Sequence, residues 1–400
     1  MRTSRLPKRF SRSPRRTEAR RPTWTAMCWR LIPGVVAPIL ALSAVPAGGE
    51  ELADRLAEIC DEQDVPGIIA ASVGPDGVIE SVAAGVRKRG TTDAVAVDDQ
   101  FSIGSNSKSF TATLAAVLVE EGAIEWSTTI SEVWPNQPVH DGFQQVTLEQ
   151  LLVHTGGLQG DLPGTGAEWS SFFAERFTPK RERERMCYLL LTKPPQGTVD
   201  EYGYSNLGYV VAAAMLEERA KQPFEKLMQQ RVFKPLEMTS TEFFSAKKLQ
   251  RAKDPALWGH KSDDGDPIKP GAVGSENPTV YAPCGTIRTT IEDWAKYARW
   301  HFNESAAPVL TDDDVLLDLH QGIADRGVAD QSYGFGWIFF DSPFGRTLQH
   351  AGSNTNQFSL IWVMPDAKRA TLVITNTGEE QAFSACDAAT VELMKSPAFR

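Results

Sequence analysis

The sequence predicts an α/β (α+β) fold, in which an antiparallel β-sheet is flanked by helices from both chain ends and carries a large inserted helical region. Three observations lead to this prediction. Strand patterns cluster near the two ends of the chain, helical periodicity dominates the middle, and the first and last periodic segments are amphipathic helices. Strands from both ends must therefore share one sheet, and about 350 residues are enough for two packed lobes.

A helix is predicted over about 50–63, and the turn Gly74-Pro-Asp-Gly77 then separates two strand patterns that form a hairpin. A closing helix is predicted over about 380–394. The predicted strands lie at 67–73, 78–86, 333–340, 347–350, 358–364 and 370–375. The sheet lobe is accordingly expected over about 50–104 and 303–400, and the helical lobe over about 105–302.

Two sequence signals define helices inside the predicted helical lobe. Phe110, Leu114 and Leu118 lie on one helix face that ends near Gly122, a plausible residue for the position after the last turn. The segment Thr147-Leu-Glu-Gln150 is a capping box ahead of an apolar pair. A long polar loop is expected over 253–277.

The first 47 residues have the composition of an export signal. They hold ten Lys or Arg and one acid, then a short apolar run over 31–42 and Val45-Pro-Ala47, which supplies small residues before a cleavage site. The apolar run is shorter than the ~20 residues of a membrane span, so no stable span is expected. We expect a signal peptide over 1–47, a catalytic domain over 48–400 and a periplasmic or extracellular location. The export route stays open, because Arg15-Arg16 and Arg20-Arg21 resemble a twin-arginine signal only loosely.

Charge and motif content exclude several classes of function. Without the first 47 residues the chain keeps 31 basic and 50 acidic residues, a net charge near −19, which disfavours nucleic acid and anionic membranes as partners. The acidic clusters lack the regular spacing of metal ligands, and no phosphate-binding glycine loop or Gly-x-Ser-x-Gly elbow is present. We therefore expect neither a metal nor a cofactor. Four widely spaced cysteines remain, with no favoured pairing.

Ser105 and Lys108 are the first candidate catalytic residues. They lie three residues apart at the head of the apolar helix, and side chains at this spacing are neighbours. A hydroxyl and an amine in contact form a nucleophile and its proton partner. The Ser105 backbone N–H at a helix start could also stabilise an oxyanion. The same spacing recurs at Ser245 and Lys248, but that copy lies in a polar stretch with no apolar helix behind it, so we interpret it as a solvated turn or helix end.

Two further segments carry candidate site residues. Tyr204 and Asn206 precede an apolar helix over about 207–216, where a phenol acts as a base if a nearby cation lowers its ordinary pKa of about 10. Asn206 offers a donor and an acceptor for a substrate amide. His350-Ala-Gly352-Ser353 follows an alternating strand; Gly352 allows close backbone approach, and the Ser353 N–H would be a second oxyanion donor.

The order Ser-x-x-Lys, Tyr-x-Asn, His-x-Gly resembles the serine β-lactamase and penicillin-binding-protein superfamily, and most closely its class C and D,D-carboxypeptidase branch. The resemblance covers nearly the whole chain after residue 47. Further segments agree with it: Leu151-Leu-Val-His-Thr-Gly-Gly-Leu158, Val232-Phe-Lys-Pro-Leu-Glu-Met238, Tyr333-Gly-Phe-Gly-Trp337, Ile374-Thr-Asn-Thr-Gly378 and Pro283-Cys-Gly-Thr-Ile-Arg-Thr-Thr290. Two positions depart from the pattern. Cys284 replaces a small residue, and His350, unlike the lysine of many β-lactamases, is largely neutral at pH 7.

The resemblance implies a β-lactamase/transpeptidase-like fold and a role for each motif. Ser105 would attack a carbonyl, Lys108 and Tyr204 would share the proton, and the backbone N–H groups of Ser105 and Ser353 would hold the oxyanion. Asn206, His350 and Gly352 would then line the substrate site. The expected function is that of a secreted serine hydrolase working through an acyl-enzyme on amide, β-lactam or ester carbonyls of small molecules or peptides.

Two alternatives remain at this stage: a carboxylesterase of the same fold, and a non-catalytic binding protein on the same scaffold. The sequence does not define the substrate or the oligomeric state.

Overall fold

The computed structural model describes residues 49–162, 167–251, 257–261, 265–303, 305, 307–378 and 380–399. The predicted signal peptide lies outside these residues. The helices are α1 Gly49–Glu62, α2 Ser107–Glu120, α3 Ile130–Val133, α4 Asp141–Gln144, α5 Leu148–Leu152, α6 Ala167–Phe172, α7 Pro179–Leu191, α8 Asn206–Ala220, α9 Phe224–Met228, α10 Ala246–Arg251, α11 Ala282–Gly285, α12 Ile291–Trp300, α13 Asp313–Asp318 and α14 Ala382–Lys395. Short 3₁₀ turns lie at Gly104–Asn106 and Thr279–Tyr281, and a π turn at Gln229–Phe233.

The strands are β1 Gly67–Gly74, β2 Gly77–Gly85, β3 Phe101–Ser102, β4 Glu242–Phe243, β5 Gly259–His260, β6 Pro267–Ile268, β7 Ile287–Thr289, β8 Ala324–Asp325, β9 Ser332–Gly334, β10 Trp337–Ser342, β11 Gly345–Ser353, β12 Phe358–Met364 and β13 Arg369–Thr375. Eight of them form one antiparallel sheet in the order β2-β1-β13-β12-β11-β10-β9-β8. The N-terminal hairpin thus pairs with the last strand, and the predicted fold class is confirmed.

The sheet is covered on both faces, which explains why all eight residues of β1 are buried. Ile68 and Ala70 point to one side, where they pack with residues of α1 and α14 such as Leu56 and Leu393. Ile69 and Ala71 point to the other side and join the core of the inserted helical region. Alternate side chains of a strand face opposite sides of a sheet, so a strand covered on both faces loses the polar alternation of a half-exposed one.

The segment predicted as one strand over 333–340 is two strands, and that prediction was wrong. Phe335 and Gly336 both have positive φ, 44° and 86°, and form a tight turn between β9 and β10. A side chain at residue 336 would lie 2.5 Å from the backbone nitrogen of Ser109. The turn therefore brings the edge of the sheet directly against the first turn of α2, and only glycine fits at this contact.

The remaining predicted elements differ from the structure mainly at their ends. The capping box is present, because the Thr147 hydroxyl accepts from the Gln150 backbone and the Gln150 side chain accepts from the Thr147 backbone. The predicted loop over 253–277 contains the short strands β5 and β6, and residues 252–256 and 262–264 lie outside the described residues. In the part of the chain that is described, no helix is both long and apolar enough to span a bilayer.

Candidate active site

Ser105 lies in the 3₁₀ turn Gly104–Asn106, two residues before α2 begins. It is partly exposed, whereas the surrounding residues of 101–110 are buried. Lys108 is fully buried in the first turn of α2, and its Nζ donates to the Ser105 Oγ at 3.0 Å. The two side chains therefore meet as the three-residue spacing predicts, with the serine facing solvent and the lysine behind it.

Lys108 is held by oxygen atoms from two other elements. Its Nζ donates to the Asn206 Oδ1 at 2.6 Å and to the backbone carbonyl of Cys284 at 3.2 Å. Asn206 is the first residue of α8, and Cys284 lies in α11. Together with Ser105, these groups supply three acceptors, the same number as the three N–H donors of an ammonium group.

Tyr204 comes next to this amine because the start of α8 is fixed from two sides. The Ser205 hydroxyl accepts from the Gly208 N–H, as an N-cap does, and the Ser205 N–H donates to the His154 Nδ1 at 3.1 Å. The Lys108 Nζ then lies 4.6 Å from the centre of the Tyr204 ring, and the His154 ring packs at 4.3 Å on Tyr204.

Burial lowers the pKa of His154 well below its ordinary value, and the nearby Lys108 lowers it further. His154 is therefore a neutral imidazole, whose Nδ1 accepts the hydrogen bond from the Ser205 backbone N–H.

The end of β11 is in direct contact with the serine turn. A side chain at residue 352 would lie 2.0 Å from the Ile103 carbonyl oxygen and 2.9 Å from the Ser105 backbone nitrogen. A side chain at Gly104, where φ is +49°, would lie 2.4 Å from the Ser353 backbone nitrogen. The glycines therefore let these two backbone segments touch. The approach that Gly352 permits is to Ile103 and Ser105, which brings the Ser353 N–H beside the serine turn.

His350 does not act as a fixed cation in this structure. Burial lowers its pKa to about 3, and the charge of Lys108 acts in the same direction. Its Nδ1 lies 2.6 Å from the Ala351 carbonyl oxygen, and its Nε2 lies 3.2 Å from the hydroxyl of Tyr333. These contacts define a neutral tautomer that donates from Nδ1 and accepts at Nε2. His350 thus lies beside Tyr204, and the centres of their two rings are 6.4 Å apart.

Both ends of the Asn206 amide are occupied by protein groups. Its Oδ1 accepts from Lys108, and its Nδ2 donates to Asp161 at 2.9 and 3.1 Å. Tyr281 also donates its hydroxyl to Asp161, at 2.9 Å. The sequence suggested that Asn206 presents its amide to a substrate, whereas in the structure it links Lys108 to a carboxylate.

Four residues near the site were not predicted as members of it: His154, Asp161, Tyr281 and Tyr333. His154 and Tyr333 stand within segments that were quoted for the family resemblance, so the segments were identified but the contacts of these side chains were not. Asp161 and Tyr281 carry no local motif. Only the fold brings Asp161 to Asn206, across 45 residues of chain, and Tyr281 to Asp161, across 120.

The cysteines of the described residues offer no exposed thiol. The thiols of Cys60, Cys187, Cys284 and Cys386 are free and buried. Burial raises the pKa of the Cys284 thiol to about 12, so this residue contributes to the site through its carbonyl oxygen. Within the described ranges, no group of three His, Cys, Asp or Glu side chains has a metal-binding arrangement.

A partly exposed serine with a buried lysine, placed between an antiparallel sheet and a helical region, is typical of the serine hydrolases that react with penicillin. Residues 51–394 match the family model described as Beta-lactamase. The chain belongs to the Beta-lactamase family, and so to the serine hydrolase superfamily that contains the β-lactamases and penicillin-binding proteins.

Known proteins agree with this assignment. Penicillin-binding protein 4 of Amycolatopsis lactamdurans is 28% identical over 342 residues, which cover 82% of this chain and 86% of that protein. Two solved structures have the same fold. The octameric penicillin-binding protein homologue from Pyrococcus abyssi superposes with a TM-score of 0.70 at 21% identity, covering 87% of this chain and 78% of the other. The β-lactamase/D-alanine carboxypeptidase from Pseudomonas syringae gives 0.68 at 17% identity, with coverages of 85% and 98%.

Proposed function

We propose that the protein is an exported serine hydrolase that cleaves amide, β-lactam or ester carbonyls of small molecules or peptides through an acyl-enzyme on Ser105. One observation carries the proposal: the Ser105 hydroxyl is partly exposed and lies 3.0 Å from a buried lysine whose other contacts hold it in place. The composition of residues 1–47 supports the export.

The reaction begins when the Ser105 Oγ forms a bond to the substrate carbonyl carbon and loses its proton. Two oxygen neighbours of Lys108, the Asn206 Oδ1 and the Cys284 carbonyl oxygen, can only accept, which fits an ammonium that keeps its protons. We propose Tyr204, in its deprotonated form, as the base, with Lys108 compensating the phenolate charge.

The backbone N–H groups of Ser105 and Ser353 stabilise the tetrahedral oxyanion. Tyr204 then returns the proton to the leaving nitrogen or oxygen as its bond to the carbonyl carbon breaks, and water hydrolyses the acyl-enzyme.

The state of His350 favours one refinement, which is a preference for substrates without a carboxylate next to the scissile bond. In this chain the histidine is neutral and bonded to Tyr333, so it supplies no positive charge to a substrate. This observation keeps a carboxylesterase of the same fold as the second candidate function.

The first experiment measures covalent labelling of Ser105. We expect a fluorophosphonate or fluorescent penicillin to label the wild type and not Ser105→Ala, which lacks the nucleophile. Circular dichroism checks that the variant is folded. Equal labelling of both proteins would refute the assignment of Ser105.

A substrate panel then separates the candidate activities. A chromogenic cephalosporin, a D-Ala-D-Ala peptide and p-nitrophenyl butyrate are each tested with the wild type and Ser105→Ala. Turnover of the ester, with little turnover of the cephalosporin and the peptide, which both carry a carboxylate, would support the esterase. Absence of any labelling or turnover in the wild type would support a non-catalytic binding protein.

A further inference from the structure

The carboxylate of Asp161 is in contact with the site but has no part in the reaction described above. It accepts two contacts from the Asn206 Nδ2 and one from the Tyr281 hydroxyl. Both hydrogen-bond partners are neutral. Burial raises the pKa of Asp161, while these hydrogen bonds and Lys108 oppose the rise. A partly buried carboxylate costs desolvation free energy, so its position against the site calls for a functional explanation.

The geometry of Asn206 provides that explanation. An asparagine amide has one acceptor end and one donor end, and it can flip between two orientations of nearly identical shape. Here it lies between an ammonium, which only donates, and a carboxylate, which in its ionised form only accepts. Just one orientation satisfies both neighbours, with Oδ1 toward Lys108 at 2.6 Å and Nδ2 toward Asp161.

We propose that Asp161, itself held by Tyr281, is a positioning residue that fixes the Asn206 amide so that its oxygen always faces Lys108. In the flipped orientation the amide NH₂ would face the ammonium, and Lys108 would lose its 2.6 Å contact with Asn206, which is shorter than its 3.2 Å contact with the Cys284 carbonyl oxygen. The lysine would then move relative to the Ser105 Oγ. This proposal rests on the proposed function only for its effect on rate, because the orientation of Lys108 exists whether or not the protein turns over a substrate.

The test compares Asp161→Asn and Tyr281→Phe with the wild type. Asparagine keeps the shape of Asp161 but replaces one acceptor with a donor, so it no longer selects one orientation of Asn206. We expect a 10- to 100-fold lower rate of fluorophosphonate labelling for Asp161→Asn, the range typical of groups that orient a reacting side chain through one intermediate contact. Tyr281→Phe leaves the contacts between Asp161 and Asn206 intact, and the expected loss is 2- to 5-fold. Thermal unfolding of each variant reports on stability.

A spectroscopic arm tests the position of Lys108 without relying on reactivity. In protein labelled with ¹⁵N-lysine, in the Ser105→Ala background, we expect Asp161→Asn to shift the Lys108 Nζ signal and to speed exchange of its protons with water. Asp99→Asn is the matched control, because Asp99 is also a carboxylate held by hydrogen bonds, but it pairs with Arg87 and the Ala96 N–H. It should leave the signal and the labelling rate unchanged.

The two arms fail in different ways. If the wild type is not labelled, the proposed function fails, while the Nζ signal still reports on whether Asp161 fixes the Asn206 amide. If labelling requires Ser105 but Asp161→Asn changes neither the labelling rate nor the Nζ signal, the role of Asp161 is overturned and the proposed function stands. Tyr281→Phe removes one hydrogen bond that holds Asp161, so if Asp161→Asn does not fold, a shift of the Nζ signal in Tyr281→Phe supports the role of Asp161 and an unchanged signal overturns it.

Discussion

The chain contains the Ser-x-x-Lys spacing twice, and the structure gives the two copies opposite environments. At Ser105, the lysine is fully buried and donates to the serine, an asparagine and a carbonyl. At Ser245, the hydroxyl accepts from the Lys248 backbone N–H, as at a helix start, while the Lys248 side chain is 65% exposed and pairs with Glu242. The spacing therefore predicts only that two side chains can meet. Burial and the acceptors supplied by other elements decide whether the amine can take part in chemistry.

The sharpest test of this comparison replaces each lysine with methionine, which has a similar length and no charge. We expect Lys108→Met to lower the rate of fluorophosphonate labelling by about 10²- to 10⁴-fold, the range for losing general-base catalysis, because Tyr204 would lack the positive charge that stabilises its phenolate. Lys248→Met should stay within about twofold of the wild type, because an exposed ion pair contributes little. A comparable loss in both variants, or in neither, would show that burial does not distinguish the copies.

A second test moves apart the end of β11 and the 3₁₀ turn of Ser105, two backbone segments that are in contact only at the Ser105 copy of the spacing. Gly352→Ala adds a methyl group 2.0 Å from the Ile103 carbonyl oxygen, so the end of β11 must move away from Ser105. We expect labelling to fall by about 10²- to 10³-fold, as for loss of one oxyanion donor. Gly197→Ala is the control, since its nearest neighbour would be an ordinary contact at 3.6 Å. Retention of full labelling by Gly352→Ala would mean that Ser353 is not an oxyanion donor.

The smallest expected effect tests burial as a cause of altered acidity at a carboxyl group beside the site. Glu276 accepts from the Asn354 side chain at 2.9 Å, one residue after Ser353, and burial raises its pKa from 4.5 to about 7. Between these values the folded protein binds more protons than the unfolded chain, so its stability falls as the pH rises. Glutamine mimics the protonated carboxyl and removes this loss.

Glu276→Gln should therefore match the wild type near pH 5 and exceed it near pH 8 by on the order of 2 to 3 kcal/mol in free energy of unfolding. Urea titrations at the two pH values measure the difference, and the pH 5 comparison is the internal control. A constant difference at both pH values would show that Glu276 does not titrate in this range.

The sequence was sufficient for the parts of this fold that depend on local periodicity and turn chemistry. The hairpin around Gly74-Pro-Asp-Gly77, the capping box at Thr147 and the helix that follows Ser105 were all predictable. The break between β9 and β10 was not, because it results from the contact of Gly336 with Ser109, more than 220 residues away. The local sequence pattern shows where apolar and polar residues alternate, but it does not show which residues a strand contacts in the folded protein.

The same division holds in the candidate site. Ser105 and Lys108 could be paired from their spacing together with the apolar helix that follows them, and the family resemblance supported adding Tyr204. The orientation of the Asn206 amide and the hydrogen bond of His350 required the structure, since each depends on a group from a distant segment, Asp161 in one case and Tyr333 in the other. Burial and hydrogen-bond direction, which set the chemistry of a titratable group, are properties of the fold and not of the motif.

The pairing of the first strand with the last has a consequence for synthesis. The Thr375 hydroxyl donates to the Gly67 carbonyl oxygen across 308 residues of chain, and the Asn106 side chain donates to Ser359 across 253. During synthesis, Ser105 therefore leaves the ribosome long before β11–β13. The chain between them must close at an entropic cost before either contact forms. A nascent chain that has not yet released β11–β13 should be unreactive toward the same probes that label the finished protein.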